Sequence, residues 1–257
     1  MKEEVLCRPD ERCDAVNENL FLIQRKEGLT FGTDALLLAA FIRAQKGAIA
    51  AELGSGTGII SMLLATREKF EHITAAEIQP IYAELTARNV ALNHLEERIR
   101  AVEADVRAPL SIGPLGSFDA IFTNPPYMKT TSGYANTASE KNAARHEVNG
   151  DIGDFCSAAA KLLKYGGRFY TVYRTDRIAD LLSAMRKERL EPKRMTFVHA
   201  HVGAPPSMVL TEARLGAGVG LRITRPLFLH RDRQARIATD DMETVYETGL
   251  LFPEEDI

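Results

Sequence analysis

Four consecutive residues, Asn124, Pro125, Pro126 and Tyr127, have the clearest chemical potential in this chain. An amine attached to a planar group is a poor nucleophile, because its lone pair is delocalised into that group. The side-chain oxygen of Asn124 and the carbonyl of Pro125 can each accept one N–H of such an amine. Two acceptors draw the nitrogen toward a pyramidal geometry and free the lone pair to attack an electrophilic carbon. The prolines stiffen the loop, so the acceptors stand in place before the reaction begins. Tyr127 offers a flat face, a contact of ~1–3 kcal/mol for a stacked base. No general base need act first, since the product ammonium can lose its proton later, and positioning carries most of the burden.

A second constellation precedes the first. Glu52-Leu53-Gly54-Ser55-Gly56-Thr57-Gly58 follows an apolar run. Gly54, Gly56 and Gly58 allow a tight turn and a close ligand approach, and the helix expected after them points its partly positive end at the same place. The dinucleotide fingerprint G-x-G-x-x-G fails, because Ile59 stands at its third glycine position. Glu77 closes the next apolar run, where a carboxylate can accept both hydroxyls of a ribose and would repel a 2′-phosphate. Glu52 lies beside the loop and can hold its amides or meet an ammonium group. Asp105 can accept a hydrogen bond from an exocyclic adenine amine, or cap a strand end.

These residues need a frame. Thr33 or Asp34 is expected to cap a helix over 35–44. Strands are expected over 48–53, 73–78, 99–105, 120–123 and 168–173, with two last ones at 194–200 and 208–213. Helices are expected over 59–67, 80–93, 151–164 and 176–189, the third of these stopped by Gly166-Gly167. A polar segment, 128–150, has no periodicity, and a loop of that length in a compact domain is usually functional or disordered. Strands alternating with helices predict an α/β fold, a parallel sheet with helices on both faces. Ligands in such sheets sit at the carboxyl ends of strands. The glycine turn, Glu77, Asp105 and Asn124 each close one of the first four strands, so four placements converge on one rim. The expected organisation is an extension over 1–30, a catalytic domain over 31–230 and an acidic tail over 231–257.

Composition narrows the classes. The chain has 257 residues, 45% of them hydrophobic and 26% charged, enough for a full core in one domain. No apolar stretch approaches the roughly 20 residues of a membrane span, and the charged first residues lack the apolar core of a signal peptide. Cys7, Cys13 and Cys156 have neither CxxC nor zinc spacing, as expected of reduced thiols in the cytoplasm; Cys156, in an apolar helical stretch, reads as core. His199 and His201 share a strand face without a third ligand, so no metal is expected. Net charge is −3, but residues 240–257 carry seven acids and no Lys or Arg, leaving 32 basic against 28 acidic residues over 1–239. That balance permits a nucleic-acid partner. Lys129, Lys141, Arg145 and His146 follow the Asn124 loop, and a basic cluster spans Arg186, Lys187, Arg189, Lys193 and Arg194.

Ala51 to Gly58 resembles motif I of class I S-adenosylmethionine-dependent methyltransferases, and Asn124 to Tyr127 resembles their amino-methyltransferase motif IV. Phe31-Gly32-Thr33-Asp34-Ala35-Leu36-Leu37-Leu38 resembles the stretch before motif I in the small-domain branch. Together with Ala144-Arg145-His146-Glu147 and Pro192-Lys193-Arg194-Met195, these make the chain most similar to the bacterial tRNA(Val) (adenine-37-N6)-methyltransferase family. The resemblance runs from about Leu20 to Arg214 and implies a Rossmann-like sheet of seven strands, the last antiparallel. It implies S-adenosylmethionine as cofactor, with S-adenosylhomocysteine as product, held by Thr33, Glu52, Gly54, Ser55, Gly56, Gly58, Glu77, Ile78, Asp105, Val106 and Asn124. It implies catalysis by Asn124, Pro125, Pro126 and Tyr127 on an adenine of tRNA, bound by Lys129, Arg145, His146, Lys193 and Arg194, with no membrane or metal involved. Glutamine N5-methylation of a protein is the rival chemistry, since a planar amide also suits Asn-Pro-Pro-Tyr. Family members with that activity carry a larger helical domain before motif I. DNA adenine methylation, which lacks a separate target-recognition domain here, and a catalytically silent binding protein on the same fold are the remaining alternatives.

Overall fold

The computed structural model describes residues 7–28, 31–126, 150–234 and 237–252. Two antiparallel strands come first, β1 (Glu11–Asn17) and β2 (Leu20–Arg25). The alternating part follows: α1 (Thr33–Phe41), β3 (Ile49–Leu53), α2 (Ile59–Thr66), β4 (His72–Glu77), α3 (Pro80–Leu92), β5 (Ile99–Glu103) and β6 (Phe118–Thr123). After the Asn124 loop come α4 (Ile152–Leu162), β7 (Leu163–Arg174), α5 (Ile178–Lys187), β8 (Leu190–His201) and β9 (Pro206–Leu215). Short strands β10 (Arg222–Ile223) and β11 (Leu227–His230) and helix α6 (Asp240–Thr248) are the last elements among the described residues.

The sheet order is β10-β8-β9-β7-β6-β3-β4-β5, with β11 also paired to β8. β9 runs antiparallel to both β7 and β8, as expected for the last strand of the seven. The described sheet has nine strands rather than seven, because β10 and β11 each pair parallel with β8 along one edge. One core layer packs α1, α2 and α6 on the sheet, with Phe41, Phe70 and Phe122 inside; the other packs α4 and α5 around Phe155, Cys156 and Phe169.

Local chemistry sets the boundaries. Pro80 occupies the first turn of α3, where its missing N–H is no loss. Asp151 and Asp154 form a reciprocal capping box at the start of α4. Neither Thr33 nor Asp34 caps α1: the cap position is Gly32, with no side-chain hydrogen bond. Gly166-Gly167 do not separate α4 from the next strand either. β7 begins at Leu163, and its register with β6 jumps from Phe118↔Leu163 to Ala120↔Arg168, with Gly166 at φ +79° inside the irregularity.

Both ends of the chain contribute to the packing. The β1–β2 hairpin lies on α3, pinned by Asn89 and Asn93. Asn89 Oδ1 accepts from Ile23 N at 2.7 Å, and Asn93 Oδ1 accepts from Phe21 N at 2.9 Å. In the acidic stretch, Thr239 caps α6, whose Met242 and Val245 are buried, while Leu251 and Phe252 join the same core layer.

Candidate active site

β3 and β4 are nearly free of polar side chains because both faces are covered. The acids that close them are therefore held inside the protein. Gly54, Gly56 and Gly58 have φ of +73°, +56° and +81°, a region that glycine enters without steric penalty. A Cβ on Gly58 would stand 2.8 Å from a Thr86 methyl, so both the backbone angle and the space require glycine there. The loop is tied down on several sides. Gly54 N and Ser55 N donate to Ala76 O at 2.8 and 3.0 Å. Thr86 Oγ1 donates to Gly56 O at 2.9 Å, and Asn89 Nδ2 donates to Thr57 O at 2.9 Å and Ile23 O at 3.0 Å. One asparagine thus joins the hairpin, α3 and the glycine loop.

Glu77 is buried at the end of β4. Its Oε2 accepts from Gly56 N at 2.9 Å and its Oε1 from Gln79 N at 3.0 Å. Burial raises its carboxyl above the usual range, against the pull of those amides. Glu52 reaches past the loop and accepts from the N–H (3.1 Å) and hydroxyl of Ser61, in the first turn of α2. Burial pushes its carboxyl up to about 8, the Ser61 contacts opposing. It holds a helix amide rather than the loop amides.

An open cavity lies in front of Glu52 and the glycine loop, where α1, that loop and the Asn124 loop meet; Glu77 stands behind the Gly56 amide and is not part of its wall. Asp34, Glu52, Gly54, Gly56, Asn124 and Pro125 are among its lining residues. Asn124 Nδ2 donates to Asp34 Oδ2 at 2.8 Å, across 90 positions of sequence. A carboxylate only accepts, so this contact fixes which end of the Asn124 carboxamide faces Asp34. The Asn124 oxygen is the acceptor end of that carboxamide and stands on the side away from the Asp34 contact. Thr123 Oγ1 donates to Leu53 O at 2.7 Å, joining the ends of β6 and β3 just before the loop.

Other expected site residues fall elsewhere. Ser55 and Pro126 line the cavity; Gly58 stands behind it as the cap of α2, and Thr33 is exposed in the first turn of α1. Ile78 and Val106 follow the ends of β4 and β5 outside the cavity wall, Val106 buried beside Gly150. Asp105 stands at the expected strand end, but Arg107 occupies it: Nε lies 2.9 Å from Oδ1, Nη2 lies 2.6 Å from Oδ2, and the pair holds its carboxyl below the usual range. An adenine amine would share that carboxylate with a guanidinium. Tyr127, Lys129, Lys141, Arg145 and His146 lie outside the described residues.

The basic cluster needs correction. Arg194 is only 8% exposed, and its guanidinium sits over the Phe41 ring at 3.9 Å. It pairs with Glu212 at 3.0 Å and donates to Phe41 O at 2.7 Å, so it serves the core and offers no phosphate grip. Arg186, Lys187 and Arg189 end α5 and precede β8. β9 is antiparallel to both β7 and β8, so β8 runs in the direction of β7 and β6, and these residues lie at the amino-terminal rim, away from Asn124. His199 Nδ1 donates to Ala204 O, 2.7 Å away, and its ring packs against Phe228. Among the described residues no cluster could hold a metal ion, and no helix is long and apolar enough to cross a membrane.

Asp34, the residue whose part sequence reasoning missed, carries a faint signal: it is an acid in the motif-like stretch before the glycine loop, facing inward on an apolar helix. Ser61 carries none.

The family described as methyltransferase small domain matches residues 25–188. A tRNA1(Val) (adenine(37)-N6)-methyltransferase from Flavobacteriaceae bacterium (strain 3519-10) is 34% identical over 150 residues, 58% of this chain and 61% of that protein. One of the same name from Porphyromonas gingivalis is 30% identical over 189 residues, covering 71% of this chain and 73% of that protein. Among solved structures, a predicted O-methyltransferase from Agrobacterium tumefaciens superposes with a TM-score of 0.70 at 24% identity, over 85% of this chain and 98% of that one. M. jannaschii TYW2 in complex with AdoMet gives a TM-score of 0.55 at 15% identity, over 80% of this chain and 86% of that one. At those identities the two structures speak to the fold, a Rossmann-like methyltransferase sheet.

Proposed function

The chain belongs to the methyltransferase small-domain family, and on that premise we propose that it methylates N6 of an adenine in tRNA, at position 37, using S-adenosylmethionine. The observation that carries this reading is the Asp34–Asn124 contact at the mouth of a glycine-lined cavity.

The cavity suits the cofactor by its donor set. It is walled by glycines that admit a ligand to the backbone and by a buried acid, Glu52, whose raised pKa marks a carboxylate lacking a cationic partner. S-adenosylmethionine supplies an electrophilic methyl group on a sulfonium. Glu52 is placed to meet the ammonium of the methionine part, and Glu77 the ribose hydroxyls while it keeps the Gly56 amide. Gly54 and Gly56 let the chain approach the ligand without a side chain between. Asp34 takes the N–H side of the Asn124 carboxamide, so the Asn124 oxygen and the Pro125 carbonyl face the incoming amine as a pair of acceptors. That pair is set before reaction, which is where electrostatic catalysis gains most. The negative charge of Asp34 makes the Asn124 oxygen a stronger acceptor and favours the positive charge that develops on the attacking nitrogen.

Labelled cofactor incubated separately with total tRNA, ribosomal RNA, release factor and DNA tests the substrate class. Label should enter tRNA and be recovered as N6-methyladenosine. Label in release factor instead would move the reading to glutamine N5-methylation.

A further inference from the structure

The rim opposite the candidate active site has the chemistry of a polyanion-binding surface. Thr196 pairs with Leu210 and Leu210 with Val172, level with the start of the Asn124 loop. Leu190 lies six residues before Thr196 on β8, about 20 Å away at ~3.3 Å per residue. Here α4 and α5 end, β7 and β8 begin, and β9 finishes.

Three segments merge at this rim. Arg214 Nε donates to Gly166 O at 2.8 Å, Tyr165 Oη donates to Gly216 O at 3.1 Å, and Gly216 N donates to Arg189 O at 2.9 Å. Lys193 Nζ donates to Gly218 O at 3.2 Å, carrying the surface on toward β10. Arg186, Arg189, Glu191 and the backbone of Gly216 and Ala217 line a shallow cleft. Tyr165, 79% exposed, and Val219, 81% exposed, flank it.

Positive charge exceeds negative here. Asp119 is taken by Lys164 at 2.6 Å and Glu191 by Arg186 at 3.0 Å. Exposed Lys161, Lys187 and Arg189 have no carboxylate partner among the described residues. Arg214 stands directly opposite Arg168 in the β7–β9 ladder; Arg168 has the Glu212 carboxylate at 3.9 Å, whereas Arg214 reaches the neutral Gly166 carbonyl. Lysines and arginines suit helix C-termini, which accounts for Lys161, Arg186 and Lys187. It does not account for Arg189, Lys193 and Arg214, which lie on a loop and on strands. At the carboxyl rim Glu52 and Glu77 are buried, and the described cations Arg107, Arg174 and Arg177 are each paired with an acid, Asp105, Asp176 and Asp180.

We propose that this amino-terminal rim is a second RNA-binding surface, gripping backbone phosphates of the tRNA while the reacting base lies at the other rim. The proposal rests on the tRNA reading above. Phosphate contacts supply affinity and register, and the described arginines of the carboxyl rim are already held by acids, whereas Lys161, Lys187 and Arg189 are not. An RNA stem running past the β10–β11 edge of the sheet spans the two rims. Full-length tRNA therefore binds through both, and an isolated anticodon stem-loop through one.

The test pairs Lys161→Glu/Lys187→Glu with the parent protein, on full-length tRNA and on the anticodon stem-loop. Both side chains are exposed and remote from the cofactor cavity, so the cofactor dissociation constant and the thermal midpoint serve as controls for folding. The double variant should bind full-length tRNA at least about tenfold more weakly, with a salt slope smaller by about two. Its KM rises to match, and kcat is retained. Stem-loop affinity should already be low in the parent and unchanged in the variant. Full-length tRNA affinity within twofold of the parent would overturn the surface, as would a parent that binds both RNAs equally well. Filter binding needs no turnover: if the parent binds tRNA in this pattern without methylating it, the surface stands and the activity reading falls.

Discussion

The two rims of the sheet use polar residues in opposite ways. At the carboxyl rim, Glu52 and Glu77 are buried, and each is held by backbone amides whose positions the fold fixes. At the amino rim, Lys161, Lys187 and Arg189 are exposed on long side chains. The first arrangement is suited to positioning a reaction, since groups set beforehand need no reorganisation. The second is suited to holding a polymer, whose phosphates are met by reach and charge. A single asparagine shows the first logic well: Asn124 has its Nδ2 committed to Asp34, which fixes the orientation of its carboxamide.

The comparison breaks most visibly if Asn124 is dispensable. Asn124→Ala removes an acceptor needed chiefly in the transition state, so turnover should fall about a hundredfold or more with cofactor affinity nearly unchanged. Single-turnover rates and calorimetry separate the two. Glu77→Ala should have its main effect on binding. It removes the carboxylate offered to the ribose and frees the Gly56 amide, and charged hydrogen bonds of ~1.5–3 kcal/mol imply a loss of about ten- to a hundredfold in cofactor affinity. An unchanged dissociation constant would take Glu77 out of the site.

Asp34→Ala sharpens the positional argument. With the carboxylate gone, the Asn124 carboxamide can turn over, and kcat should fall about tenfold, the equivalent of a charged hydrogen bond near its lower limit. Asp34→Asn, which can still accept the Asn124 N–H, should recover part of that rate, whereas a purely structural role would show in the thermal midpoint of both variants.

The smallest effect concerns pH. Glu52 titrates at about 8 when folded against 4.5 for an ordinary glutamate. As pH rises from about 4.5 to about 8, the unfolded chain gives up this proton while the folded chain keeps it, so stability falls across that window. Thermal midpoints of the cofactor-free protein should decline from pH 5 to pH 8 less steeply in Glu52→Gln. If an ammonium group settles beside Glu52, cofactor binding near neutral pH should release a proton. Calorimetry in buffers of different ionisation enthalpy would reveal that release, and Glu52→Gln should abolish it.

Much of the carboxyl rim was legible in the sequence, because its signals are local. Apolar runs end in an acid or a glycine turn, and a strand's end is fixed by the residues next to it. What escaped depends on distant partners. The hairpin is pinned to α3 by Asn89 and Asn93 through bonds spanning 66 to 72 positions. Asp34 meets Asn124 across 90 positions. Arg194 reads as part of a basic cluster, yet its place on β8 turns it toward Phe41 and Glu212, with the buried face of the sheet. Its neighbours lie at the far rim because strand direction, which no local signal carries, sends the end of α5 and the start of β8 there. Gly166-Gly167 looked like a helix stop because a bulge and a stop use the same residue type.

The central claim is that an Asp34-oriented Asn124 serves adenine methylation in tRNA. The direct measurement is nucleoside mass spectrometry on digested tRNA from cells lacking this gene, and from the same cells given back the wild-type or the Asn124→Ala gene. The account predicts that N6-methyladenosine at position 37 disappears with the gene, returns with the wild-type copy and does not return with Asn124→Ala. Persistence of that nucleoside without the gene, or its full return with Asn124→Ala, would contradict it.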